Sequence, residues 1–117
     1  MKPHREFFPI DMTAFTPSPG YPDGFAHKVL ADDLDAETRT GSRTILQRIA
    51  AGARTEGVLL HDEAEEVFVF EGDLIVGEGA AAERFEAPAY ACRPGGTPHG
   101  PFASEGGCLI LAVFYFA

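Results

Sequence analysis

Residues 61–74 read HDEAEEVFVFEGDL. In an extended chain successive side chains point to opposite faces. Glu65, Val67 and Val69 then share one face, and Glu66, Phe68 and Phe70 share the other. If the valines face a core, Glu65 enters that core with them. A buried carboxylate without a partner is costly, so a histidine, a metal ion or a proton must satisfy it. Asp62 to Glu66 suit a helix by propensity, but their place just ahead of VFVF makes them a loop that enters a strand. Beyond the strand, Glu71-Gly72 followed by DLIV (residues 73–76) predicts a hairpin, because glycine supplies the positive φ of a tight turn.

Working outward, the chain from Phe25 reads as short strands divided by turn chemistry. The strands are predicted at Phe25 to Leu30, Arg43 to Ile49 (RTILQRI), Gly57 to His61, Glu83 to Ala87, Tyr90 to Arg93 and Cys108 to Phe116. Ala31 to Thr40 is polar and reads as a loop or a helical turn, and GEGAAA (77–82) as a loop. No long amphipathic helix interrupts the series, which favours an all-β sandwich or barrel over a parallel α/β sheet. Five of the nine prolines fall in the first 24 residues, and proline lacks the amide donor a helix needs. Residues 1–24 are therefore expected as an irregular arm with short extended pieces around Phe7 to Phe15, and 25–117 as the barrel. The arm's Phe7, Phe8, Phe15 and Tyr21 should lie on a surface, either this barrel or a second subunit.

The 117 residues fit one domain. Eighteen carboxylates against nine basic residues give a formal charge of −9, which repels nucleic-acid phosphates. The longest apolar run, residues 108–117, is far short of a membrane span. It reads as a core strand apolar on both faces, so both faces should be covered. Cys92 and Cys108 form no CxxC pattern, and the chain opens with no signal-peptide pattern. A cytoplasmic location with reduced thiols is the expectation.

The histidines are His4, His27, His61 and His99. His61 sits beside the acidic cluster that ends in Glu65. His99 closes PGGTPH, a tight turn that would aim it back into the barrel mouth. His4 lies in the arm, and His27 on a strand reads as structural. Asp62, Glu63 and Glu66 read as solvated, although Glu63 could substitute as a ligand. Neither cysteine neighbours a His or Lys, so no activated thiol is expected. A hydrogen-bonded His61–Glu65 pair without metal would also satisfy the buried carboxylate.

These residues resemble two motifs of the cupins, G-x5-H-x-H-x3–4-E-x6-G and G-x5-P-x-G-x2-H-x3-N. His61, Glu65 and Gly72 reproduce the latter half of the first, and Pro94, Gly96 and His99 the heart of the second. EEVFVFEGDL and RPGGTPHGPF look especially like the cupin half of ChrR-type anti-sigma factors. The resemblance spans roughly Thr44 to Phe116 and implies a double-stranded β-helix, or jelly-roll, barrel. It also implies a divalent metal held by three histidines and a glutamate. Here Leu59 stands where the first histidine would be, Ala53 and Pro88 replace the two leading glycines, and Ala103 replaces the closing asparagine.

Three ligands remain: His61, Glu65 and His99. Two imidazoles and a carboxylate are the donor set of non-haem iron sites, and they also suit zinc with a bound water. Iron, manganese, nickel and zinc all stay open, as does loss of the ion through Leu59. Leu59, Tyr90 and Phe102 are expected to line the pocket. Three functions follow as alternatives: a metal-dependent enzyme with oxygenase-type chemistry on a small organic molecule, a metal- or ligand-sensing domain, or a cupin that has lost its metal. The sigma-binding helical part of ChrR-type regulators is absent from these residues, so a sensor would act alone or through another partner. The resemblance further implies a homodimer.

Overall fold

A computed structural model describes residues 1–117. The chain is almost entirely strand: β1 Thr16–Pro17, β2 Phe25–Asp32, β3 Ser42–Ile49, β4 Ala64–Val76, β5 Glu83–Glu86, β6 Ala89–Arg93, β7 Phe102–Ala103 and β8 Cys108–Tyr115. One short 3-10 turn, Gly79–Ala81, interrupts the loop after β4. All pairings are antiparallel, in the order β1-β2-β3-β8-β4-β5, with β6 and β7 also pairing to β4. The barrel is the expected cupin double-stranded β-helix.

β4 decides the architecture, and it departs from the sequence reading. Glu71-Gly72 is no hairpin turn: Ala64–Val76 is one continuous strand of 13 residues. A register shift between Val69 and Glu71 marks a bulge against β8, and Gly72 has φ of +79°. The bulge bends the strand. Its first half pairs with β6 and β8, and its second half with β5 and β7. One strand thereby serves both sheets and closes the barrel. A side chain at Gly72 would meet the Gly107 carbonyl oxygen at 1.9 Å, so close approach as well as φ requires glycine there.

Other differences are smaller. Gly57 to His61 is not a strand; only Leu59 forms a bridge, to His99. The arm carries no extended piece at Phe7 to Phe15, and its first strand is β1, paired to β2. The arm lies against its own barrel: Phe8 and Ile10 share a groove with Leu30 and Thr44, and Arg48 stacks over the Phe15 ring at 4.9 Å.

Alternation places the core. Glu65, Val67 and Val69 are buried, while Phe68 and Phe70 are exposed. The valines join Phe25, Ile45, Ile49, Leu74, Cys108, Ile110 and Ala112 in one cluster. Truncating a core residue such as Ile110 to alanine would cost about 2–5 kcal/mol in lost transfer energy and cavity formation. Asp73 anchors the far end of β4. Although 2% exposed, it accepts hydrogen bonds from the Glu105 and Gly106 amides and the Ser104 hydroxyl, and lies 3.4 Å from Arg84.

Candidate metal centre

Three separate pieces of chain bring His61, Glu65 and His99 together. Glu65 sits on the inward face of β4. His99 is held by its bridge to Leu59, through Leu59 N–H to the His99 carbonyl (2.7 Å) and His99 N–H to the Leu59 carbonyl (3.0 Å). His61 is tied to the PGGTPH turn by the Gly96 amide, which donates to its carbonyl at 2.9 Å. That turn packs so closely that a Cβ on Gly95 would meet the Asp62 carbonyl oxygen at 2.0 Å. The two half-motifs are therefore locked to each other through backbone, and the histidines stand with ring centroids 4.8 Å apart, edge to face.

The tautomers follow from the hydrogen bonds. A carbonyl can only accept, so the ring nitrogen facing one must carry the proton. His61 Nδ1 donates to the Glu63 carbonyl at 2.9 Å, and His99 Nδ1 donates to the Thr97 carbonyl at 2.8 Å. In its neutral form each ring then has a lone pair on Nε2. Both lone pairs face Glu65 Oε1, at 3.5 Å from His61 and 3.6 Å from His99. Those separations exceed normal hydrogen-bond lengths. Burial lowers the His99 pKa below its ordinary value, keeping that ring neutral.

Two lone pairs and a carboxylate oxygen converging on one another repel; Arg93, which donates to the same Glu65 Oε1 at 3.2 Å, offsets part of this, and a cation among the three would offset the rest. Ligand atoms bound at about 2.1 Å around a shared tetrahedral ion lie about 3.4 Å apart, close to what Glu65 shows with each imidazole. All three donor atoms lie within 4.8 Å of one another, so the donors would draw slightly closer together around an ion with bonds of about 2.1 Å. An imidazole fixed through its other nitrogen by a carbonyl is the usual outer-shell arrangement of a metal-bound histidine. The donor set fits a divalent ion. The metal-free His61–Glu65 hydrogen bond also entertained from the sequence would need a second proton on His61, because its Nδ1–H is committed to the Glu63 carbonyl, and the 3.5 Å separation is long for such a bond.

Behind the three lies a narrow cavity of about 30 Å³, lined in part by Phe25, Val67, Ile110 and Phe102. That volume suits about two waters. Phe102 borders that cavity, whereas Tyr90 and Leu59, expected beside it, do not. Tyr90 points outward, 55% exposed, and its hydroxyl donates to Glu66. β6 runs in the opposite phase to the one a pocket tyrosine requires: Ala89, Ala91 and Arg93 face inward and Tyr90 and Cys92 outward. Leu59, half-buried, stands opposite His99 but does not border the cavity. Glu63 offers its carboxylate to His61 Nδ1 at 3.4 Å, so it orients the ring from behind.

Three lining residues escaped the sequence reading: Arg93, Tyr21 and Gln47. Arg93 donates to Glu65 Oε1 at 3.2 Å and lies over the Phe102 ring at 5.3 Å. Its signal was the small residues at 89 and 91, which share its face and leave it room. Tyr21 comes from the arm; burial first, and Glu65 second, raise its pKa. His27 stays apart from the cluster, as expected, and burial pushes the Cys108 thiol up to about 11, which makes it inert. No helix is long and apolar enough to cross a membrane.

A family model described as the ChrR cupin-like domain matches residues 4–115. No curated protein matches. Among solved structures, an acetylacetone dioxygenase from Acinetobacter johnsonii is 22% identical with a TM-score of 0.73, covering 97% of this chain and 75% of that one. An RmlC-like cupin from Shewanella frigidimarina is 18% identical with a TM-score of 0.70, covering 97% and 93%. KdgF from a Halomonas species is 19% identical with a TM-score of 0.71, covering 96% and 95%. At these identities the likeness is one of fold. With the family match spanning nearly the whole sequence and both half-motifs contributing to the His61–Glu65–His99 cluster, the chain belongs to the ChrR cupin-like domain family.

Proposed function

We propose that this protein binds one divalent metal ion through His61, Glu65 and His99 and acts on a small organic molecule in the adjoining cavity. The observation that carries the reading is the pair of Nε2 lone pairs turned toward Glu65, each with its Nδ1–H committed to a carbonyl. A bound ion would serve as a Lewis acid toward a substrate oxygen. The chain's own part is to fix both imidazoles, to keep His99 neutral by burial, and to exclude bulk water with the apolar wall of Phe25, Val67, Phe102 and Ile110. With three protein ligands, coordination positions remain for substrate. The fold shared with a dioxygenase makes oxygen-dependent chemistry the first activity to assay.

The test is metal analysis of untagged protein together with oxygen uptake on a panel of small carbonyl and carboxylate compounds. About one ion per chain, lost in His99→Ala, supports the site; full occupancy surviving that substitution contradicts it. Metal without turnover on any panel member favours the sensing reading, which the family match supports. We further propose a homodimer in the cytoplasm. Phe68, Phe70 and Tyr90 form an exposed aromatic patch on the outer sheet face, with Phe68 4.9 Å from Tyr90 and 6.4 Å from Phe70, which a second copy would cover.

A further inference from the structure

Arg93 is the one permanent cation bordering the cavity. Its side chain is 15% exposed. A guanidinium carries five N–H donors, yet the one hydrogen bond it makes is from NH1 to Glu65 Oε1. That same oxygen is the one both imidazoles face. On the metal reading, on which this inference rests, Glu65 turns its charge to the ion and Arg93 loses much of its partner. The cavity would then hold a divalent ion and a guanidinium against a single carboxylate, a formal excess of two positive charges between apolar walls. Buried charge is stable only when paired and hydrogen-bonded.

We propose that Arg93 is the recognition residue for a compact carboxylate that binds in this cavity beside His61, Glu65 and His99. A carboxylate matches the planar fork of a guanidinium, and it is ionised at neutral pH without help from the protein. The narrow cavity admits little more than a carboxylate group, which leaves the rest of a small ligand at its mouth, and the Phe102 ring under the guanidinium holds the fork in place. Arg93 acts here as a specificity-determining residue. A purely structural Arg93, present only to neutralise Glu65, would leave the choice between an anion and its neutral isostere untouched.

The probe is glycolate, with glycolamide as its uncharged isostere. Binding of each is titrated into zinc-loaded wild type, Arg93→Gln and Arg93→Lys by calorimetry, with zinc per chain measured on the same samples. The expected result is glycolate at least about tenfold tighter than glycolamide in wild type, the preference shrinking severalfold or more in Arg93→Gln and partly recovered in Arg93→Lys. A preference unchanged in Arg93→Gln, or wild type binding neither probe, overturns the proposal while leaving the metal site standing. If neither zinc nor iron(II), manganese(II) or nickel(II) binds, the metal reading has failed by itself. The same titrations on metal-free protein then decide, with an Arg93-dependent preference for glycolate upholding the inference and its absence ending it. Should Arg93→Gln not fold, the Arg93 side-chain Nε–Hε signal of wild type is followed by nuclear magnetic resonance. Displacement by glycolate and not by glycolamide supports the assignment, and a signal unmoved at saturating glycolate refutes it.

Discussion

At the scale of single residues, acid–base chemistry does most to separate site from scaffold. Glu65 and Asp73 are both buried carboxylates on one strand, but their surroundings differ in kind. Asp73 accepts hydrogen bonds from two backbone amides and a hydroxyl, and the Glu105 amide first, with the Gly106 amide and Arg84, holds its carboxyl below the usual carboxylate range. A depressed folded-state pKa means that the unfolded chain binds the proton more readily. Stability from Asp73 is then fully present at neutral pH and drains away as pH falls from about 5 through the folded pKa. Asp73→Asn should cost about 1–3 kcal/mol at neutral pH, and its urea midpoint should fall less than that of wild type between about pH 5 and pH 3; parallel curves would contradict this role. Glu65, by contrast, faces nitrogen lone pairs and one guanidinium. Its inward position was legible in the sequence because a glutamate opens an otherwise apolar face. The place of Arg93 was missed, since Tyr90 was assigned to the pocket and the two residues lie on opposite faces of β6.

At the scale of elements, β4 and the PGGTPH turn carry the argument. The alternation of residues 65–70 was readable and correct, yet the turn signal at Glu71-Gly72 misled. A glycine with positive φ serves a bulge as well as a hairpin, and only the partner strands decide which. Gly72→Ala would force both an unfavourable φ and a clash with the Gly107 carbonyl. We expect a loss of about 2–4 kcal/mol, read as a lower melting temperature; a neutral substitution would show that β4 is not bent there. Gly95→Ala should separate site from scaffold. The added methyl pushes on the Asp62 carbonyl and so shifts His61 against His99, lowering metal affinity about tenfold or more by spoiling ligand placement. Calorimetric titration with zinc checks this, and unchanged affinity would mean that the turn does not position His61.

At the scale of the molecule, the barrel was foreseeable from strand spacing and two half-motifs, because the motifs are the backbone junctions that hold the cavity mouth together. The course of the arm was not, since proline excludes a helix without saying where the chain lies. The aromatic patch on the outer face predicts assembly: wild type should run as a dimer in size exclusion with light scattering, and Phe70→Glu should convert it to a monomer. A monomeric wild type would remove that proposal and leave the site intact. The central claim is narrower, namely that two imidazoles present Nε2 and one carboxylate presents an oxygen to a common cation. Anomalous diffraction from crystals of the zinc-loaded protein tests it directly. The predicted result is a single strong peak bonded to His61 Nε2, His99 Nε2 and Glu65; a peak elsewhere, ligation through Nδ1, or no peak in zinc-loaded crystals would contradict it.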